Sequence, residues 1–183
     1  MMRADAQRNR DRIVEVAREV FRDHGYDASL DLVAKTAGVG AGTLYRHFPT
    51  RENLLDAIMQ SWVDRVQETT EKVLAFEGEP RDLLVRWLEA YAELISLHKG
   101  GPAKLTAAMG NPQSPIAHKC GVLAGATQQV VDRLRAEDAL REDVDAVRVC
   151  QLVGGVATVA DNADQPVAQV RPLLEVVADG LLR

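Results

Sequence analysis

The stretch from Val39 to Pro49 constrains the fold of this 183-residue chain more than any other. It begins with small residues, carries an apolar pair at Leu44 and Phe48, and ends at a proline. Residues four apart share one face of a helix, so this pair would point into a core while its polar and aromatic neighbours face outward. Proline cannot continue the hydrogen-bond ladder, so Pro49 would close the helix.

A first helix is predicted upstream of this stretch. Residues 3–12 are polar and rich in arginine with no apolar stripe, which predicts a mobile arm. From Ile13 onward apolar residues recur at helical spacing until Gly25, which would end the helix with Tyr26 folding back as its apolar contact.

A second helix is predicted between Ser29 and Gly38. The Ser29 hydroxyl can cap it, and Gly38 permits the tight turn that follows. Two short helices joined by such a turn have the layout of a helix-turn-helix, whose second helix enters a DNA groove. The net charge of −5 argues little against this, because the first 60 residues are charge-balanced and the excess of acid lies beyond them.

The run from Leu32 to Leu54, LVAKTAGVGAGTLYRHFPTRENL, resembles the DNA-binding domain of the TetR family of one-component transcriptional repressors. The resemblance covers roughly residues 10–58. It implies an all-α fold, with a three-helix DNA-binding domain over 1–50 and a helical regulatory and dimerisation domain over 51–183. A helix over 51–77, capped by Thr50, would link the two.

The candidate DNA-binding residues lie on and beside the predicted turn. The resemblance implies that Tyr45 and His47 contact phosphates, and Arg46 is the candidate for contact with a base or a phosphate. Glycine and alanine at the helix start are too short to read bases by bidentate hydrogen bonds, so specificity would lean on Arg46, the arginine arm and DNA shape. The full set is Ser29, Lys35, Gly40, Ala41, Gly42, Thr43, Tyr45, Arg46, His47 and Arg51.

Apolar spacing predicts further helices over 83–98, 103–109, 116–136 and 143–160, and a last one that begins at Pro166 or Pro172. The last two carry more apolar surface than one side of a helix needs, and Gly154-Gly155 would allow a close helix crossing. The resemblance implies that they form a four-helix bundle in a homodimer. An ordinary intramolecular core is the alternative.

The middle helices would enclose an effector pocket, although aromatic and Met residues at helical spacing are more often plain core. The candidate walls are Trp62, Trp87, Tyr91, Met109, Cys120, Leu123 and Thr127. Neither a metal nor a cofactor is expected, because His98 and His118 have no third ligand at useful spacing. The two cysteines fit buried thiols in a reducing cytosol. No apolar run approaches the ~20 residues that span a bilayer, which predicts a cytoplasmic protein without a membrane segment.

These features predict a DNA-binding regulator, a repressor released from a palindromic operator by a small, mostly apolar ligand. A ligand-dependent activator or a corepressor-dependent regulator would have the same sequence features, and a helical non-DNA adaptor is a further alternative. A small helical enzyme is disfavoured, because the chain has neither a nucleophile elbow nor a phosphate-binding loop.

Overall fold

The computed structural model describes residues 2–25, 27–97, 100–109, 111, 113–114 and 116–183, with side chains from Asp5 onward. Tyr26 and His98 lie outside the described residues. The α-helices in these ranges are α1 (Met2–His24), α2 (Leu30–Thr36), α3 (Ala41–His47), α4 (Arg51–Leu74), α5 (Pro80–Ile95), α6 (Gly101–Ala108), α7 (Ala117–Ala136), α8 (Ala146–Asn162) and α9 (Arg171–Leu181). No strand occurs in the described ranges, so the predicted all-α class is confirmed.

The chain forms two compact units, residues 1–64 and 65–183. The division falls inside α4, whereas the sequence placed a boundary at residue 50, the last residue before this helix. The α4 helix ends at Leu74, three residues before the predicted end at residue 77. Thr50 caps it as predicted, since the Thr50 hydroxyl accepts a hydrogen bond from the Asn53 N–H at 3.2 Å.

The first unit is built on the inner face of α1, where Ile13, Ala17 and Phe21 are buried with residues of α2, α3 and the start of α4. The prediction of a mobile arm over residues 3–12 was wrong, because α1 is helical from Met2. Polar pairs one turn apart support this segment in place of an apolar stripe. They join Arg8 to Asp5, Gln7 to Asp11 at 2.7 Å and Arg12 to Asn9 at 3.1 Å.

The turn between α2 and α3 follows the sequence prediction. Ser29 is the N-cap of α2, with its hydroxyl accepting from the Leu32 N–H at 3.2 Å. Gly38 adopts φ +66°, a left-handed conformation that side-chain-bearing residues rarely adopt. This turn fixes the direction in which α3 leaves α2.

The second unit places α8 among its other helices, with α5, α6, α7 and α9 all packed against it. Gly154 of α8 is the point of closest approach to α6, because a Cβ atom there would lie 2.1 Å from the Thr106 hydroxyl oxygen. The sequence associated the close crossing at Gly154 with the dimer bundle. The structure corrects this for Gly154, which faces an intramolecular neighbour, whereas Gly155 has open space.

Two backbone hydrogen bonds hold the end of the second unit in place. The Arg183 N–H donates to the Ala139 carbonyl at 3.0 Å, and the Arg141 N–H donates to the Leu181 carbonyl at 3.1 Å. These bonds tie the end of α9 to the loop between α7 and α8. Pro172 lies in the first turn of α9, where proline is tolerated.

Candidate nucleic-acid interface and effector region

The α3 helix has one packed face and one exposed face. Leu44 is fully buried and Phe48, its C-cap, is 2% exposed, so both belong to the core of the first unit. Tyr45 between them is 46% exposed, one of the few large hydrophobic side chains on the surface among the described residues. The spacing of the two core residues turns the aromatic ring and its polar neighbours outward.

The exposed face of α3 carries a positive charge that is held in place. The Arg46 guanidinium donates a hydrogen bond to the Thr43 hydroxyl at 3.0 Å, one turn earlier on the same helix. A guanidinium held in this way presents its remaining N–H groups to an anion with less loss of side-chain entropy on binding. Lys35 on α2 is exposed, as are Gly40, Ala41 and Gly42 at the start of α3. His47 is half-buried and lies against the Phe48 ring.

Two predicted contacts serve the local structure of the first unit. Arg51 donates to the Ala28 carbonyl at 2.7 Å and lies 5.4 Å from the centre of the Phe21 ring. It thereby ties the start of α4 to the loop before α2. Ser29 uses its hydroxyl to cap α2. The structure gives both side chains structural partners, and their contacts with DNA stay a prediction.

One arginine that the prediction placed only in the arm is positioned by the core. The Arg10 guanidinium lies 5.5 Å from the centre of the Phe48 ring, a cation–π distance that puts this charge beside the end of α3. Phe48 is an apolar anchor in sequence, and the position of Arg10 depends on α1 being helical before Ile13, through the segment that contains Arg10. The wrong prediction of a mobile arm therefore concealed this contact.

The second unit brings together most of the candidate effector-site residues. Trp87 and Tyr91 of α5 lie edge to face, with ring centres 6.1 Å apart. The Tyr91 hydroxyl lies within hydrogen-bonding reach of Cys150, whose thiol donates to the Thr127 hydroxyl at 3.4 Å. Thr127 in turn donates to the Leu123 carbonyl at 2.9 Å. These bonds form a buried hydrogen-bond chain that joins α5, α8 and α7.

The remaining candidates differ in their positions. The Cys120 thiol lies 3.7 Å from the Leu105 carbonyl, within reach of a weak hydrogen bond to α6, and Met109 is half-buried after the end of that helix. Trp62 is buried in the first unit rather than the second, so its membership of an effector site stays a prediction.

The titratable members of the hydrogen-bond chain and the nearby thiol of Cys120 are uncharged. Burial raises the pKa of the Tyr91 hydroxyl and of both thiols, Cys120 and Cys150, so all three are protonated near neutral pH. Among the described polar and charged residues, Thr70 and Thr127 are the two that are buried. Within the same ranges no group of three His, Cys, Asp or Glu side chains could hold a metal ion.

The exposed apolar side chains are concentrated on the last two helices. Leu152 and Val159 of α8 and Leu173 and Val176 of α9 are between 45% and 69% exposed. On each helix a glycine with open space around it, Gly155 or Gly180, lies on the same side as these residues. Exposed apolar faces of this kind mark an interaction surface. None of the described helices is long and apolar enough to cross a membrane.

Comparison with known proteins identifies both parts of the chain. Residues 13–58 match the family model described as bacterial regulatory proteins of the tetR family, and residues 79–183 match that of the SbtR-like transcriptional regulator C-terminal domain. An HTH-type transcriptional regulator of Staphylococcus aureus is 42% identical over 64 residues, a stretch that covers 34% of this chain and 35% of that protein.

Solved structures match over nearly the whole chain. A TetR transcriptional regulator from Streptomyces coelicolor is 33% identical with a TM-score of 0.69, covering 94% of this chain and 98% of that one. A TetR regulatory protein from Mycobacterium vanbaalenii is 28% identical with a TM-score of 0.68, covering all of both chains. The exposed face of α3, the all-helical architecture and these matches lead to one assignment: the chain belongs to the TetR family of DNA-binding transcriptional regulators.

Proposed function

We propose that this protein is a repressor that binds a palindromic operator as a homodimer and leaves it when a small, mostly apolar molecule binds the second unit. The observation that carries the proposal is the exposed face of α3, on which Tyr45 and Arg46 project from a helix anchored by buried neighbours. The proposed site of action is the cytoplasm, where the operator DNA lies.

The chemistry of α3 supports a particular division of labour. Arg46, held by Thr43, would read a base edge or a phosphate, and Tyr45 would donate its hydroxyl to a phosphate. The small residues at the start of α3 would let the backbone approach the DNA closely. Lys35, exposed on the preceding helix, would add a phosphate contact.

The exposed apolar faces of α8 and α9 support the dimer. Val159 and Val176 are each about two thirds exposed to water. Covering this face with a second copy removes apolar surface from water and therefore stabilises the dimer. Gly155 and Gly180 would let the partner helices approach closely. A two-fold dimer would present two copies of α3 to half-sites one helical turn apart, about 34 Å.

Release by ligand would follow from differential affinity. A molecule that binds more tightly to the dimer in its DNA-free conformation lowers operator affinity by the same factor by which the operator lowers ligand affinity. The buried, uncharged interior of the second unit supports a mostly apolar ligand, because an ion there would lose its hydration without a partner.

The test is an electrophoretic mobility shift on the intergenic DNA upstream of the gene. At a protein concentration near the wild-type Kd, Tyr45→Ala and Arg46→Ala should each abolish the shift without loss of helicity or of dimer mass. Lys72→Ala, which removes an exposed charge from the second unit, is the matched control and should bind as the wild type does. Unchanged binding by both α3 variants would refute the assignment.

The sign of ligand coupling has its own test. Compounds that co-purify with the protein can be identified by mass spectrometry and added back to the protein–DNA complex. The proposal predicts that operator affinity falls. A rise in affinity would instead identify a corepressor-dependent regulator.

A further inference from the structure

Trp87 is a fully buried aromatic residue whose polar atom has no partner. Its side chain is 0% exposed, and its indole Nε1–H makes no hydrogen bond in the described part of the chain. Buried tryptophan N–H groups usually find an acceptor, because an unpaired donor has lost its hydrogen bond to water without replacement. Among the described residues, the Ser96 hydroxyl is the other buried polar side-chain group without a hydrogen bond, and it lies two residues before His98, which is outside the described ranges.

Tyr91, which lies against Trp87, belongs to a hydrogen-bond chain whose members pair with one another. The Tyr91 hydroxyl lies within hydrogen-bonding reach of Cys150, the Cys150 thiol donates to Thr127, and Thr127 donates to the Leu123 carbonyl. The hydrogen-bond chain therefore ends at a backbone oxygen and offers nothing to the indole. Trp87 is the residue in this cluster that retains an unused donor.

The surroundings also limit what can use that donor. No described Asp, Glu, Lys, Arg or His residue is fully buried, and burial lowers the pKa of Lys119, which is partly buried on α7 just before Cys120. Tyr91, which lies against Trp87, and Cys150 are held in their neutral forms by burial. A charged ligand group would be desolvated here without a counter-charge. A neutral oxygen that accepts one hydrogen bond has no such penalty.

We propose that the Trp87 indole N–H is the polar recognition point of the effector site, and that the effector is a neutral, mainly apolar molecule that presents a carbonyl oxygen to it. The inference rests on the proposed function, since it assigns the ligand chemistry of the same region. The competing use of this N–H is a weak contact with the Tyr91 ring. The centres of the two rings lie 6.1 Å apart in an edge-to-face arrangement.

The test uses acetophenone and ethylbenzene, probes of similar shape that differ by one carbonyl oxygen. The protein is labelled with ¹⁵N at its two tryptophans, and Trp62→Phe assigns the two indole signals. Acetophenone should move the Trp87 indole proton downfield, as hydrogen bonding to oxygen does, whereas ethylbenzene should not. If acetophenone does not move the Trp87 indole signal, the proposal is overturned. An indole proton that lies upfield and that neither probe moves would indicate the contact with the Tyr91 ring instead.

Affinity measurements supply a second readout. Trp87→Phe should lower the ratio of acetophenone to ethylbenzene affinity about fivefold, the size of one neutral hydrogen bond, whereas any cavity that the smaller ring leaves affects both probes alike. Lys72→Ala, which removes an exposed charge from the second unit, is the control and should keep the wild-type ratio. Equal ratios in wild type and Trp87→Phe would contradict the proposal.

Operator binding in the same samples separates the two levels of inference. Wild-type protein that fails to bind DNA would refute the proposed function regardless of the probes. Wild-type protein that binds DNA while the Trp87 signal ignores acetophenone would refute only the role of the indole.

Discussion

The close crossing of α6 and α8 can be tested with one methyl group. A Cβ atom at position 154 would lie 2.1 Å from the Thr106 hydroxyl oxygen and 3.3 Å from the Thr106 Cβ. The first distance is impossible without movement. The hydroxyl is itself fixed by a hydrogen bond of 2.8 Å to the Pro102 carbonyl, so rotation of the Thr106 side chain would break that bond.

The magnitude follows from opposing terms. Overpacking costs about 1–3 kcal/mol. Replacement of a mid-helix glycine by alanine stabilises by about 0.5–1 kcal/mol. Gly154→Ala should therefore lower the free energy of unfolding by about 1 kcal/mol, since the difference between these two ranges runs from about 0 to about 2.5 kcal/mol. Urea denaturation followed by circular dichroism measures the change.

Two further variants isolate the cause. Gly125→Ala on α7, where an added Cβ would meet nothing within 4 Å, should stabilise the protein. Adding Thr106→Ala to Gly154→Ala should recover much of the stability, because the atom nearest to the new methyl is gone. If Gly154→Ala stabilises the protein as much as Gly125→Ala does, the reasoning about this crossing is refuted.

Other predictions concern the dimer and the alkaline limit of stability. Val159→Glu and Val176→Glu should each shift the protein toward monomer in sedimentation velocity and weaken operator binding, because a charge would be buried against the second copy; a dimer of unchanged affinity in both variants would contradict the assigned face. The raised pKa values of Tyr91, Cys120 and Cys150 mean that the unfolded chain loses these protons at lower pH than the folded chain, so the free energy of unfolding should fall as pH rises above about 9, by up to about 1.4 kcal/mol per pH unit for each group. Urea titrations at a series of pH values test this, and they should extend to about pH 11, one unit above the ordinary tyrosine pKa. A free energy of unfolding that stays constant or rises over this range would refute the prediction.

The sequence predicted the elements whose signals are local. Ser29 and Thr50 cap their helices as expected, and Leu44 and Phe48 are buried, because caps and helical periodicity depend on residues within one turn. The arginine-rich start was misjudged for a related reason. Its helix is supported by pairs between polar side chains, which an apolar-stripe criterion does not detect.

Relations between distant residues could not be predicted. Gly154 was linked to a dimer contact, and only the packing of α6 against α8 shows that Thr106 is its neighbour. The hydrogen-bond chain from Tyr91 through Cys150 to Thr127 joins three helices that are far apart in sequence. Whether the Trp87 indole N–H has an acceptor depends on the three-dimensional arrangement of the residues around it, so no sequence pattern could reveal that it is unpaired.

The central claim is that the exposed face of α3 binds DNA, and the most direct measurement is the salt dependence of operator affinity. Fluorescence anisotropy of labelled upstream DNA, titrated with wild-type protein and with Arg46→Ala over a range of salt concentrations, gives the slope of log affinity against log salt. If Arg46 binds a phosphate, Arg46→Ala should weaken binding and make the slope shallower by about one for each phosphate that the protein no longer neutralises. If Arg46 binds a base, the variant should bind the operator more weakly by about 1–3 kcal/mol while non-specific DNA is bound as before. An affinity and a slope that are both unchanged in Arg46→Ala would contradict the account.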